Sequence, residues 1–246
     1  MKPRWNSGPA EIVLVRHGHS EGNLADAQAR EAGAERLDLD ARDADVALSG
    51  TGREQAGAVA AWLAGETGDR RPTVVVSSPY RRAADTAARV VADLGLEVVL
   101  DERLRERDLG VFDGLTGVGI RAHYPEEAER RSKLGKFYYQ PPSGESWADV
   151  VLRVRSLLDD LRQGFDGERV WLFTHQAVIS SFRYALEDVS EEDLLDIDRE
   201  TPIPNASFTT YRRDGTHFHL ESFADTTAVD SAEVEVTDEP SKTGRS

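Results

Sequence analysis

The feature that most constrains this chain is an unbroken apolar run, Ile12-Val13-Leu14-Val15, that stops at Arg16-His17-Gly18. A strand without polar alternation must be covered on both faces, as in a parallel sheet between layers of helices. In an open α/β sheet, ligands bind beyond the carboxyl ends of the strands. Arg16 and His17 are therefore expected at the mouth of a site, with Gly18 letting the backbone pass close by. Arginine offers a planar fork to an anion. Histidine offers a nitrogen that can attack, or move a proton, near neutral pH. The alternative is a strand that ends in ordinary polar residues, and the tripeptide alone leaves both readings open.

The rest of the chain repeats the pattern. Arg71-Pro72-Thr73-Val74-Val75-Val76 is rich in β-branched residues and ends at Ser77-Ser78-Pro79-Tyr80-Arg81-Arg82. Leu96-Glu97-Val98-Val99-Leu100 leads to Leu104-Arg105-Glu106-Arg107-Asp108-Leu109-Gly110. Arg169-Val170-Trp171-Leu172-Phe173 ends at Thr174-His175-Gln176. Helices are expected from a Ser49 or Thr51 cap through Gln55, Val59, Trp62 and Leu63, and over residues 83–94. Another opens at Gly144-Glu145-Ser146, with Val150, Val151, Val154, Leu157, Leu158 and Leu161 at helical spacing. Helices near 177–186 and 191–197 and two edge-like strands near 208–211 and 218–221 close the domain. The fold class is α/β: a three-layer α/β/α sandwich on a mixed, mostly parallel sheet. One domain is expected over residues 1–224, with 111–145 inserted as an irregular segment containing short helices. Residues 225–246 are acidic, nearly lack large apolar groups, and read as a disordered tail.

Composition narrows the function. A net charge of −15 argues against nucleic acid or an anionic membrane surface as the partner. A small anion remains possible, because a local arginine cluster can hold a positive pocket in an acidic protein. Cysteine is absent, which removes disulfides, thiolate metal sites and a cysteine nucleophile. The polar start of the chain does not read as a signal peptide, and no apolar run reaches membrane-spanning length, so the expected compartment is the cytoplasm. Other motifs are set aside. Gly117-Val118-Gly119-Ile120-Arg121-Ala122 has dinucleotide-loop spacing, but no buried strand leads into it. Asp38, Asp40, Asp43 and Asp45 lack the glycine and closing glutamate of a calcium loop and read as a solvated face. His217 and His219 share a strand face without a third ligand, and Asn205-Ala206-Ser207 is only a formal sequon.

The strand ends bring Arg16, His17, Arg82, Glu106 and His175 toward one crevice, a set suited to phosphoryl transfer. Here the chain resembles the histidine phosphatase superfamily, the phosphoglycerate mutase-like fold. The resemblance lies in Leu-Val-Arg-His-Gly-His-Ser-Glu-Gly-Asn (14–23), Leu-Ser-Gly-Thr-Gly-Arg-Glu-Gln-Ala (48–56) and Ser-Ser-Pro-Tyr-Arg-Arg-Ala-Ala-Asp-Thr (77–86). It continues through Leu-Arg-Glu-Arg-Asp-Leu-Gly-Val-Phe-Asp-Gly (104–114), Gly-Glu-Ser (144–146) and Thr-His (174–175), in the family's order. It implies that His17 is a nucleophile that becomes phosphohistidine. Arg16, Arg82 and His175 would hold the phosphoryl oxygens with Asn23 at the pocket edge, and Glu106 would be the general acid, with Asp108 as its rival. No metal or other cofactor is implied, and the partner is a small phosphorylated substrate.

His175-Gln176-Ala177-Val178, His123-Tyr124-Pro125 and Lys136-Phe137-Tyr138-Tyr139 are similar to the bisphosphatase half of the fructose-2,6-bisphosphate enzymes. Ser180 stands where that pattern has an arginine. The resemblance thus implies metal-independent phosphomonoester hydrolysis, with a mutase, a sugar bisphosphatase and a non-catalytic phosphate-binding module as alternatives. A mutase would draw on Arg130, Arg131, Lys133 and Lys136 to retain a bisphosphate. Segment 111–145 is expected to form a substrate lid. Lys136, Tyr138 or Tyr139 would there reach the non-reacting end of the substrate, with Gln176 presenting an amide to its hydroxyls; the alternative is a surface helix whose aromatics pack inward.

Overall fold

The structure is a computed structural model that describes residues 4–239. The chain begins β1 (Glu11–Arg16), α1 (Glu21–Glu31), α2 (Gly50–Gly65), β2 (Val74–Ser77), α3 (Arg81–Val90) and β3 (Val98–Leu100). The inserted segment holds α4 (Gly117–His123) and α5 (Pro125–Leu134), followed by α6 (Trp147–Gly164) and β4 (Arg169–Thr174). Then come α7 (Gln176–Glu187), α8 (Glu191–Glu200), β5 (Phe208–Asp214), β6 (His217–Asp225) and α9 (Thr227–Asp230). The strands form one sheet in the order β3-β2-β4-β1-β5-β6. β3, β2, β4 and β1 are parallel, and β5 and β6 add an antiparallel edge. The expected three-layer α/β sandwich is the architecture found.

Strand alternation assigns the apolar run to two cores. Ile12 and Leu14 point to one face, against Val150, Val154 and Leu158 of α6 and Ile179 and Phe182 of α7. Val13 and Val15 point to the other, with Val59 and Leu63 of α2 and Ala87 and Val90 of α3. Every residue of β1 is buried, which is why the run tolerates no polar break. Each such side chain contributes roughly 1.5–3 kcal/mol on burial, so the sheet is the rigid platform on which the strand ends are held. Ser20, Ser49, Ser146 and Ser190 cap α1, α2, α6 and α8. Ser49, not Thr51, is thus the cap of α2, and Asn23 sits inside the first turn of α1 as the reciprocal partner of Ser20.

Two expectations change, and one that set a motif aside stands. The strand read at 96–100 narrows to β3, an edge strand whose Val99 and Leu100 are exposed. The Gly117 motif opens α4 under a Thr116 cap with no strand leading into it, as expected. The acidic tail is ordered as far as it is described. Ala228 and Val229 are buried against the α2 side of the sheet, and the chain continues in defined contacts to Glu239. Average composition hid two well-placed apolar residues and a set of buried hydrogen bonds. The remainder of that tail, 240–246, lies outside the described residues. No described helix is long and apolar enough to cross a membrane.

Candidate active site

β1 and β4 are neighbours in the sheet, and His17 and His175 follow their carboxyl ends. Their rings come within 5.0 Å, centroid to centroid. This juxtaposition follows from the register, since Arg16 pairs with Thr174 and the His17 amide donates to Thr174 O at 3.0 Å. The turn beyond is clamped by buried Asn205, whose Nδ2 donates to His17 O at 3.0 Å. The Ala206 amide donates to Arg16 O and His17 O, with Ala206 held at φ 57°. Gln55 of α2 accepts the His19 amide at 2.8 Å.

His17 is 3% exposed. Its Nδ1 lies 2.8 Å from Gly18 O, and a carbonyl can only accept, so Nδ1 carries the proton. Nε2 is therefore the unprotonated nitrogen, and it accepts from Arg82 Nε at 3.3 Å. Burial, then the charges of Arg82 and Arg16, hold the His17 imidazole well below its ordinary pKa. His175 is lowered in the same way, by burial first and then by Arg82 and His17. Its Nε2 shares a hydrogen bond with Ser78 Oγ at 2.9 Å, while its buried Nδ1 has no partner among the described residues. The site thus holds two neutral imidazoles beside two guanidinium groups.

Both guanidiniums are engaged by carboxylates. Arg82 reaches the main chain of Asp43 at 2.6 Å and its carboxylate at 3.0 and 3.3 Å. Asp43, expected on a solvated face, is therefore a wall of the site, because the loop before α2 folds over the end of β2. Arg82 also lies 5.3 Å from the centre of the Tyr80 ring. Burial and the neighbouring Asp43 push the Tyr80 hydroxyl up to about 12. Arg16 is 1% exposed, donates to Ile203 O and pairs with Glu239 at 2.6 Å.

Glu106 lies on the cavity wall, half-buried, with Oε1 accepting the Arg107 amide at 2.7 Å. Asp108 is exposed and turns back to the Gly110 amide of its own loop. Glu145 fixes this loop: its carboxylate accepts from Arg105, Arg153 and the Asp108 amide. The Gly144-Glu145-Ser146 segment therefore does more than open α6; it anchors the carboxyl-bearing loop.

The family model for the histidine phosphatase superfamily (branch 1) matches residues 12–226. The chain belongs to this superfamily. A bifunctional protein of Mycobacterium tuberculosis is 35% identical over 194 residues, which is 75% of this chain and 47% of that protein. A glucosyl-3-phosphoglycerate phosphatase of M. tuberculosis is 36% identical over 150 residues, 61% of this chain and 59% of that one. The chain thus spans about half the length of the curated relatives it matches. The structure of mycobacterial glucosyl-3-phosphoglycerate phosphatase with VO3 superimposes with a TM-score of 0.70 at 30% identity, covering 88% of this chain and 99% of that one.

His17, Asn23, Arg82 and Glu106 line one cavity of about 600 Å³, and Gln176 joins them. Asn23 is held by Ser20 through its Oδ1. The remaining residues expected at the lid are placed elsewhere. Tyr138 is exposed and donates to Glu191, and Tyr139 is buried with its hydroxyl on Glu127 at 2.8 Å. Neither lines the cavity, because consecutive aromatics on this turn face opposite sides. Lys136 stands behind the wall, 3.5 Å from Asp198, and Asp198 in turn accepts from Gln176 at 3.3 Å. Ser180 is fully buried in α7 and does not line the cavity.

Arg107, like Asp43 and Glu239, lines the cavity although sequence reasoning did not place it there. Arg107 lies beside Trp147, with its Nε on Glu145 O at 2.8 Å and its guanidinium 5.7 Å from the indole centre. Among the described residues it forms no ion pair. Burial, then the nearby Arg131, push it down to about 10. Its only sequence signal was its place next to Glu106.

Proposed function

We propose that the chain hydrolyses a small phosphomonoester through a phosphohistidine on His17, without a metal. The observation that carries this reading is His17 itself: a neutral imidazole with its Nδ1 proton tied to Gly18 O and its unprotonated Nε2 accepting from Arg82, a donor that an incoming phosphate oxygen can draw away. That is the state an attacking nitrogen needs. Nε2 attacks phosphorus and forms the P–N bond as the bond to the leaving oxygen breaks. Glu106 gives its proton to that oxygen. Water then loses a proton to Glu106, attacks phosphorus and breaks the P–N bond, releasing phosphate and neutral His17. Arg82, Arg16 and His175 balance charge on the non-bridging oxygens throughout.

The cavity size suits a metabolite rather than a macromolecule. Gln176, Asp198 and Arg107 line the cavity and offer an amide, a carboxylate and a cation to its polar remainder, with Trp147 as an apolar wall. These groups suit a hydroxylated monoester, and the relatives named glucosyl-3-phosphoglycerate phosphatase support a sugar-bearing one. A mutase has less support. Of the basic residues offered to retain a bisphosphate, Arg130 and Lys133 are ion-paired along α5 with Glu127 and Glu129.

The test is turnover of p-nitrophenyl phosphate and of a panel of sugar phosphates by the wild type and His17→Ala. The wild type should form an acid-labile, alkali-stable phosphoenzyme, and His17→Ala should form none and lose turnover. An acid-stable phosphoenzyme would point to a hydroxyl nucleophile and overturn the reading.

A further inference from the structure

The C-terminal segment returns across the sheet and brings Glu239, the last described residue, to the site. After α9 it is fastened at two points. Gln55 Nε2 donates to Glu235 O at 2.8 Å and to Thr237 Oγ1 at 2.9 Å. Thr237 Oγ1 donates to Asn205 Oδ1 at 2.9 Å, and the Asn205 amide donates to Thr237 O at 2.8 Å. Gln55 and Asn205 are the side chains that also hold the main chain of His19 and His17. Two residues beyond Thr237, the Glu239 carboxylate sits on Arg16 at 2.6 Å and lines the cavity with His17, Asn23 and Arg82. Arg16 itself, being 1% exposed, is absent from the cavity wall.

We propose that Glu239 is a tethered competitor for the phosphoryl site: its carboxylate occupies the Arg16 position that a phosphate oxygen must take, so the C-terminal segment restrains the enzyme's own substrate binding. The proposal rests on reading this cavity as a phosphoryl site. A carboxylate and a phosphate oxygen make the same charge-assisted hydrogen bonds to a guanidinium. A short tether raises the local concentration of the carboxylate to the millimolar range, enough to compete with a free anion. The dianion carries more charge and wins when present in excess, so the contact sets a threshold and does not close the site. The geometry also makes the restraint adjustable: anything that draws the segment off Gln55 and Asn205 removes the carboxylate.

The experiment is isothermal titration of inorganic phosphate into the full chain and into Glu239→Gln, which keeps the shape and removes the charge. Glu239→Gln should bind phosphate roughly 3–30-fold more tightly, the range of one charged hydrogen bond partly replaced by the amide. A chain ending at Asp238, which keeps the Thr237 anchor, should do the same, with vanadate inhibition and KM falling in step. Phosphate affinity that is unchanged or weaker in both variants overturns the proposal; weaker binding would make the segment a support of the site. Turnover is scored separately. Tighter phosphate binding by Glu239→Gln in a protein that hydrolyses no phosphomonoester would sustain the competitor and overturn the hydrolase reading.

Discussion

Gly52→Ala should damage the active site from outside it. A Cβ built on Gly52 falls 1.9 Å from His19 O and within 2.9 Å of His19 N, whereas ordinary contact begins near 3.4 Å. The helix and the turn carrying His17 must therefore separate by about 1.5 Å. α2 cannot yield easily, since Val59 and Leu63 are fully buried in the core beneath it. The turn carrying His17, Gly18 and His19 moves instead. A nucleophile misplaced by about 1 Å costs roughly 10²-fold in turnover. For stability the signs oppose: alanine improves a helix by about 1 kcal/mol, and overpacking costs about 1–3 kcal/mol. The net loss is roughly 1 kcal/mol, or about 3 °C in Tm for a chain of this size. Gly57→Ala is the matched control, because a Cβ there meets nothing within 4 Å on the same helix. It should gain about 3 °C and leave hydrolysis of p-nitrophenyl phosphate untouched. Steady-state kinetics and thermal melts of both variants decide. Gly52→Ala within twofold of wild-type turnover, or an equal loss in Gly57→Ala, would refute the idea that this close approach places His17.

Glu106→Gln should cost about 10²–10⁴ in kcat with an alkoxide leaving group and far less with p-nitrophenyl phosphate; equal losses would make Glu106 structural and turn attention to Asp108. Arg107→Leu removes a cavity cation that has no ion pair among the described residues, and should lower kcat/KM for the best sugar phosphate at least about tenfold while sparing p-nitrophenyl phosphate; equal sensitivity of both substrates would deny it a part in specificity. Because His17 and His175 are both held below the ordinary histidine range, the folded state resists protons that the unfolded chain accepts below about pH 6.5. Stability is therefore fully present above that pH and falls as the solution is acidified, with a slope of up to about 1.4 kcal/mol per pH unit for each histidine. Melting curves of His175→Gln between pH 7 and 5 should show a shallower decline than wild type, and an unchanged slope would contradict the buried neutral state.

Much of this protein is legible in its residues one stretch at a time. The run Ile12 to Val15 needs cover on both faces, and that demand alone implies a parallel sheet between helices. Ser20 with Asn23 and Ser146 with Asp149 mark helix starts through bonds spanning three residues. The strand ends also name Arg16, His17, Arg82, Glu106 and His175, because polar residues halting an apolar run have only one place to go in such a fold. Tertiary structure alone decided which charges meet. Asp43 and Arg82 are 39 positions apart, and Glu239 and Arg16 are 223 apart, so neither pair leaves a local pattern. Arg107 resembled Arg105 in sequence, yet Arg105 pairs with Glu145 while Arg107 faces the cavity without an ion pair among the described residues. Tyr138 and Tyr139 differ only in which way one turn points them. The physical reason is common to all four cases. Hydrophobic periodicity is set by the nearest few residues and can be read along the chain. The partner of a polar group is set by where distant elements pack, and is determined only when the sheet has closed.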